Sequence, residues 1–174
     1  IDSAVARGFD GIAFPGFLNV GDAARKAIAN GVKLMSYNCD CDSSIRRVAC
    51  LRPDPMEPGL LAAQALAKDL NKKGNVILLM GNPDVGVNVE RRDSFKKELL
   101  NYKGISITDE IIIDDAEDDV YRKTLSCLRS RDNVDALYIT NGFPSAAARA
   151  VEDSGKTGKV KVYAFDHNQE IFSY

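Results

Sequence analysis

The feature that most restricts the fold is an unbroken alternation of short apolar runs with helical stripes, from residue 10 to residue 165. Asp10 to Phe14, closed by Pro15-Gly16, reads as a strand. Gly21 to Asn30 carries Ala24, Ala27 and Ile28 on one face and stops at Gly31, as a helix does when glycine follows its last turn. Val32 to Tyr37 is the next strand, and Ile45 to Leu51 a further short extended run. Asp54-Pro55-Met56-Glu57 predicts a helix start, with Asp at the N-cap, Pro at the first helical position and an acid at the third. Leu60, Ala63, Leu66, Ala67 and Leu70 continue it as a stripe that ends before Gly74. Asn75 to Met80 is nearly all apolar, the pattern of a strand buried on both faces. The loop Gly81 to Gly86 then opens a helix with Val87, Phe95 and Leu99 on one face. Strands at Ile105–Ile113, Val134–Thr140 and Val160–Phe165 follow, separated by a helical face through Val120, Thr124, Leu128 and Arg131 and by a helix from Pro144 to Ser154. Strands each followed by a helix predict right-handed βαβ crossovers, and so an α/β fold with doubly wound parallel sheets.

With 174 residues, 45% of them hydrophobic, the chain has room for one large domain or two small ones. The stiff proline pair in Arg52-Pro53-Asp54-Pro55 is the one boundary signal, between the two halves of the chain. A net charge of −2, from 23 basic and 25 acidic residues, argues against direct contact with nucleic acid. No apolar run approaches the length that spans a bilayer. Ile1 to Arg7 reads as the last turns of a helix running into Gly8, and Gln169 to Tyr174 as a helix barely begun. The chain therefore reads as a piece of a longer protein, incomplete at both ends. Cys39, Cys41, Cys50 and Cys127 show no disulfide-scaffold spacing and lean towards free thiols.

In open α/β sheets ligands bind outside the carboxyl ends of the strands. Four of the strands deliver a hydrogen-bonding side chain there: Asn38 after Tyr37, Asn82 after Gly81, Asn141 after Thr140 and Asp166 after Phe165. Arg91 lies on the stripe of Val87 and Phe95 near the start of its helix, and an Arg on an apolar face needs a partner, because a buried unpaired charge is very costly. One Asp, one Arg and several Asn, with Phe14, Phe17 and Phe143 nearby, suit a neutral polyol. Charged groups supply directional hydrogen bonds, amides give and accept, and flat rings cover apolar sugar faces. The plainer account is that Asn and Asp after strands form turns.

Several segments carry a resemblance to a known family: Gly11-Ile12-Ala13, Val32 to Asp40, Gly59-Leu60-Leu61-Ala62-Ala63, Gly81-Asn82, Arg91-Arg92-Asp93-Ser94-Phe95, Thr140-Asn141 and Gly155-Lys156 through Phe165-Asp166. In this order and spacing they resemble the type I periplasmic binding protein superfamily, which holds sugar-binding proteins of ABC importers and the effector domains of LacI-type repressors. The resemblance implies two three-layer α/β/α lobes with the ligand between them, a partial N-terminal lobe at 1–51 and a nearly complete C-terminal lobe at 52–174. It implies ligand contact from Asn38, Arg91, Asn141 and Asp166, and the strand-end reading adds Phe14, Phe143 and Asn82 to the expected ligand-binding set. Asn38 stands where members often carry Asp, Cys39 where sugar binders often place Arg, and Gly142 where an acid is usual.

Competing chemistries have less behind them. Cys39-Asp40-Cys41-Asp42 lacks the second ligand pair of a structural zinc site, and the single histidine is His167. A Cys39–His167 nucleophile and base would lack an oxyanion device and an orienting group. Gly81 to Gly86 lacks the Lys-Ser/Thr of a phosphate loop. The acidic run Asp114 to Asp119 matches no EF-hand and reads as a solvated loop and helix start, and the resemblance implies that the equivalent loop borders the cleft, with a minor binding role as the alternative. The expectation is a binding protein with no catalysis, no metal and no cofactor. It takes a sugar or polyol, works with the membrane permease of an ABC importer and is extracytoplasmic, periplasmic or lipid-anchored. The short link Lys156 to Val162 favours the transport branch. The alternative is a cytoplasmic effector domain of a LacI-type regulator or sensor, which the cysteines favour.

Overall fold

A computed structural model describes residues 1–165 and 169–171. The chain divides into two compact units, Ile1–Asp54 and Pro55–Tyr174, with the division falling inside the Arg52–Pro55 segment.

Unit 1 begins with α1 (Asp2–Ala6), which ends where Gly8 takes a left-handed φ of 74°. Then come β1 (Gly11–Pro15), α2 (Gly21–Ala29), β2 (Lys33–Tyr37) and β3 (Ala49–Leu51), the strands forming one parallel sheet in the order β1-β2-β3. Ala24 and Ala27 of α2 pack with Phe14, Val32 and Leu34 in its core. The extended run expected from Ile45 is strand only from Ala49, because Ile45 closes a turn onto the carbonyl of Asp42 and buries its side chain in that core.

Unit 2 holds α3 (Glu57–Asp69), β4 (Lys73–Met80), α4 (Gly86–Leu99), β5 (Gly104–Ile112), α5 (Glu117–Arg129), β6 (Ala136–Ile139), α6 (Pro144–Asp153) and β7 (Lys161–Ala164). Its strands are parallel in the order β5-β4-β6-β7. Alternate residues of the central strands feed opposite cores. Val76, Leu78, Met80 and Tyr138 meet α3 and α4, with Tyr138 stacked on Phe95, while Ile77, Leu79, Leu137 and Ile139 meet α5 and α6. Each leucine buried this completely contributes about 1.5–3 kcal/mol.

The start of α3 corrects the expected N-cap. Asp54 and Pro55 lie outside the helix, Met56 caps it and Pro58 occupies the first turn. The cause is a tertiary tie: the Met56 carbonyl accepts from Leu60 N–H at 3.2 Å and from the Ser94 hydroxyl of α4 at 2.5 Å. Arg131 likewise falls beyond α5, where it pairs with Asp109 at 2.5 Å.

The order β5-β4-β6-β7 places a topological switch point beside β4. The chain leaves β4 through α4 on one face to reach β5, then returns through α5 on the other face to reach β6. The crevice at such a point, outside the carboxyl ends of the strands, is where sheets of this kind receive ligands.

Candidate functional site

The carboxyl ends of β4 and β6 are joined by buried polar contacts. Thr140, fully buried, accepts the Gly81 N–H on its hydroxyl at 3.1 Å. Its carbonyl accepts a guanidinium N–H from Arg91 at 2.8 Å. Arg91 is 5% exposed and lies over the Phe165 ring, 3.4 Å from the centroid. The helix stripe thus carries the guanidinium inward, and a carbonyl and an aromatic face receive it, which lets the charge sit in a dry place. Asn141 donates from Nδ2 to Asp115 Oδ1 at 2.9 Å, while its Oδ1 is buried with no hydrogen-bond partner among the described residues.

Glycine at 81 makes room for this. A Cβ there would stand 2.7 Å from Asn141 Cβ and 2.6 Å from Asn88 Nδ2. β4 lies between β5 and β6, so Asn141 reaches the loop after β5 across the end of β4, where Gly81 presents no side chain.

The structure therefore brings Arg91 and Asn141 to one edge, both through Thr140 or its neighbour. Phe143 follows Asn141 and Gly142 with a left-handed φ of 63° and is 37% exposed, just before Pro144 opens α6. A bulky residue in that conformation is strained by about 1–2 kcal/mol. Asn82 is exposed and engaged locally: its Oδ1 accepts from Asp84 N–H at 2.8 Å, and its carbonyl accepts from Asn88 Nδ2 at 3.1 Å. That is the turn-forming role, and the signal was the Asn-Pro-Asp sequence itself. Phe14 belongs to the core of unit 1, 4% exposed, whereas Phe17 is 48% exposed. Asn38, also in unit 1, is exposed with φ 69°, and its N–H donates to the Leu51 carbonyl at 3.0 Å. Asp166 and His167 lie outside the described residues.

Sequence reasoning held Asp115 only as part of the acidic run and missed both its contact with Asn141 and the inward member of that run. Asp119 is 7% exposed, so the run is not wholly solvated. Its carboxylate accepts from Asp114 N–H at 2.9 Å and pairs with Arg122 at 2.6 Å and Lys123 at 2.7 Å. Burial alone would raise its pKa, but Lys123, the Asp114 N–H and Arg122 together outweigh it and hold the carboxyl below the usual value. A depressed folded pKa contributes stability that is complete above the unfolded value, near 4, and is lost as pH falls through the folded value. Unfolding by urea followed from about pH 6 to 2 should show that loss, and Asp119→Asn should flatten it.

In unit 1, Arg47 pairs with Asp40 and holds its carboxyl low, with Ser36 donating to the same carboxylate at 3.1 Å. All four cysteines are free. Among the described residues no three His, Cys, Asp or Glu side chains group as metal ligands, and no helix is long and apolar enough to cross a membrane.

The profile of a family described as "Periplasmic binding protein domain" matches residues 1–174. Several solved structures share the fold. A glucose-galactose binding protein from Geobacillus stearothermophilus is 24% identical with a TM-score of 0.88, over 99% of this chain and 62% of its own. A Caulobacter myo-inositol binding protein, bound to myo-inositol, is 20% identical with a TM-score of 0.87, over 99% of this chain and 60% of its own. A periplasmic solute binding protein of an ABC transporter from Actinobacillus succinogenes, with bound D-allose, is 24% identical with a TM-score of 0.85, over 92% of this chain and 60% of its own. The chain thus spans less than two thirds of the length of these structures. Comparison with curated proteins gave no match.

Proposed function

The chain belongs to the periplasmic binding protein domain family, and from that premise we propose that it binds a sugar or polyol reversibly, without catalysis, as the solute-binding component of an ABC importer. The observation that carries this reading is the polar edge at the switch point of unit 2. There a buried guanidinium is already placed by a carbonyl and an aromatic face, and a buried amide oxygen has no partner among the described residues. Such a surface suits hydroxyl groups that both donate and accept. Arg91 and Asn141 hold the ligand, Phe143 offers a ring beside them, and Asn38 of unit 1 and Asp166 are the further contacts that family resemblance adds. Binding that favours one arrangement of the protein over another would signal occupancy through differential affinity. An importer component would work outside the cytoplasm and deliver its ligand to a permease. The four free cysteines favour a second reading, the effector domain of a regulator or sensor in a reducing compartment.

The test is a thermal-shift screen of pentoses, hexoses and inositols on the intact protein. A true ligand at a hundred times its Kd adds about 2.7 kcal/mol of stability. No shift with any of them, repeated by calorimetry, rejects the sugar reading.

A further inference from the structure

We propose that Asp115 is a positioning residue that fixes the orientation of the Asn141 amide, so that the site demands a hydrogen-bond donor from its ligand at that point and rejects a group that can only accept. The inference rests on the sugar-binding reading and deepens it.

The geometry is local to unit 2. Asn141 lies at the end of β6 and is 5% exposed; its Nδ2 donates to Asp115 Oδ1 at 2.9 Å. An amide has a donor end and an acceptor end of nearly equal shape, and what surrounds it decides which way it points. Turned over, Asn141 would set its carbonyl oxygen against a carboxylate oxygen, acceptor against acceptor. Asp115 therefore excludes the turned arrangement and leaves Oδ1 as the end with no partner among the described residues, buried as it is. A buried acceptor of this kind is satisfied by a hydroxyl or N–H and by nothing that lacks a proton to give.

Two further contacts make Asp115 a suitable anchor. The loop that carries it is held at its start by Asp119, which accepts the Asp114 N–H at 2.9 Å. Lys123 secures the strand end just before, donating to the Ile112 carbonyl at 2.9 Å. Gly81 keeps the path between Asp115 and Asn141 clear, because any Cβ there would press on Asn141 Cβ and Cγ. The path spans 26 residues of sequence and crosses the end of an intervening strand. Asp115 itself is exposed, so its carboxylate acts through Asn141 and not as part of a core.

The experiment compares each sugar with its fluorinated copies, since fluorine replacing a hydroxyl cannot donate. Calorimetry on the intact protein would use D-glucose, D-galactose, D-xylose, L-arabinose and myo-inositol, and then the monodeoxyfluoro analogues of whichever bind. In the natural protein one fluorinated position should lose about 100-fold or more against its parent, the penalty a site imposes when built to hydrogen-bond a hydroxyl. In Asp115→Ala the same analogue should come within about tenfold of its parent, because the freed amide can turn and donate. Asp115→Glu, whose carboxylate can only accept, should keep the discrimination, whereas Asp115→Asn can donate as well as accept and so should relax it as Asp115→Ala does. Asp115→Ser can accept or donate and so leaves the amide free; it serves in place of Asp115→Ala if that variant does not fold. If Asp115 only ties the loop to β6, parent and analogue weaken together and their ratio stays fixed, which overturns the proposal. Binding of none of the five sugars by the natural protein rejects the sugar reading first and this inference with it.

Discussion

Arg91→Ala should cost the protein both its ligand and part of its stability, while Arg91→Lys should separate the two. The guanidinium is 5% exposed, donates to the Thr140 carbonyl at 2.8 Å and covers the Phe165 ring at 3.4 Å. Alanine leaves that carbonyl short of a donor and opens a gap beside the ring, together worth about 2–4 kcal/mol. If Arg91 also holds a ligand hydroxyl, affinity for the sugar found by screening should fall at least about 100-fold, or about 2.7 kcal/mol. Lysine keeps the charge but not the planar fork, so it can meet the carbonyl or the ligand and not both while lying flat on a ring. It should recover most of the stability and little of the affinity. Urea unfolding and calorimetry on the same samples read the two effects. Affinity within about threefold of the natural protein in Arg91→Ala would reduce Arg91 to a structural role.

That Arg91 was legible from the sequence, and the contact of Asp115 with Asn141 was not, has a physical cause. Arg91 sits on an apolar helical stripe with Val87 and Phe95, and helical periodicity alone turns it toward the sheet. The alternation of strand and helix similarly gave the parallel α/β architecture, because each crossover is handed and short. Asp115 acts on a residue 26 positions away, across the end of a strand lying between its own and its partner's. Local pattern cannot report such a contact, and an acidic run ahead of a helix satisfies the simpler macrodipole reading. The start of α3 was misplaced for the same reason. Asp54-Pro55 is a good local start, but Ser94, 38 residues on, pins the carbonyl of Met56 and decides where the first turn closes. Asn82 went the other way. Its place at a strand end suited both a ligand contact and a turn, and the side-chain oxygen is engaged in the turn, accepting from Asp84 N–H.

Gly59→Ala should be the most damaging single methyl in unit 2, and it should act on the site without touching it. Gly59 is buried on α3 where that helix crosses α4. A Cβ built there falls well inside the 3.0 Å that real Cβ atoms keep, against the Arg91 carbonyl, the Ser94 hydroxyl and, at 2.8 Å, the Phe95 nitrogen. Two of these three atoms are backbone, so no side-chain rotation relieves them; α4 itself must move. Overpacking of this kind costs about 1–3 kcal/mol when side chains can yield and more when a helix has to shift, so a loss of about 3 kcal/mol or failure to fold is expected. The same shift would carry Arg91 away from the Thr140 carbonyl, since its own backbone is what the methyl strikes. Surviving protein should therefore bind its sugar more weakly although every contact residue is intact. Gly86→Ala is the control. It stands at the start of α4 with nothing within 4 Å of a built Cβ, so it should leave stability unchanged or raise it by about 0.5–1 kcal/mol through helix propensity. Equal midpoints of urea unfolding for the two variants would mean that close contact between α3 and α4 does not set the position of Arg91.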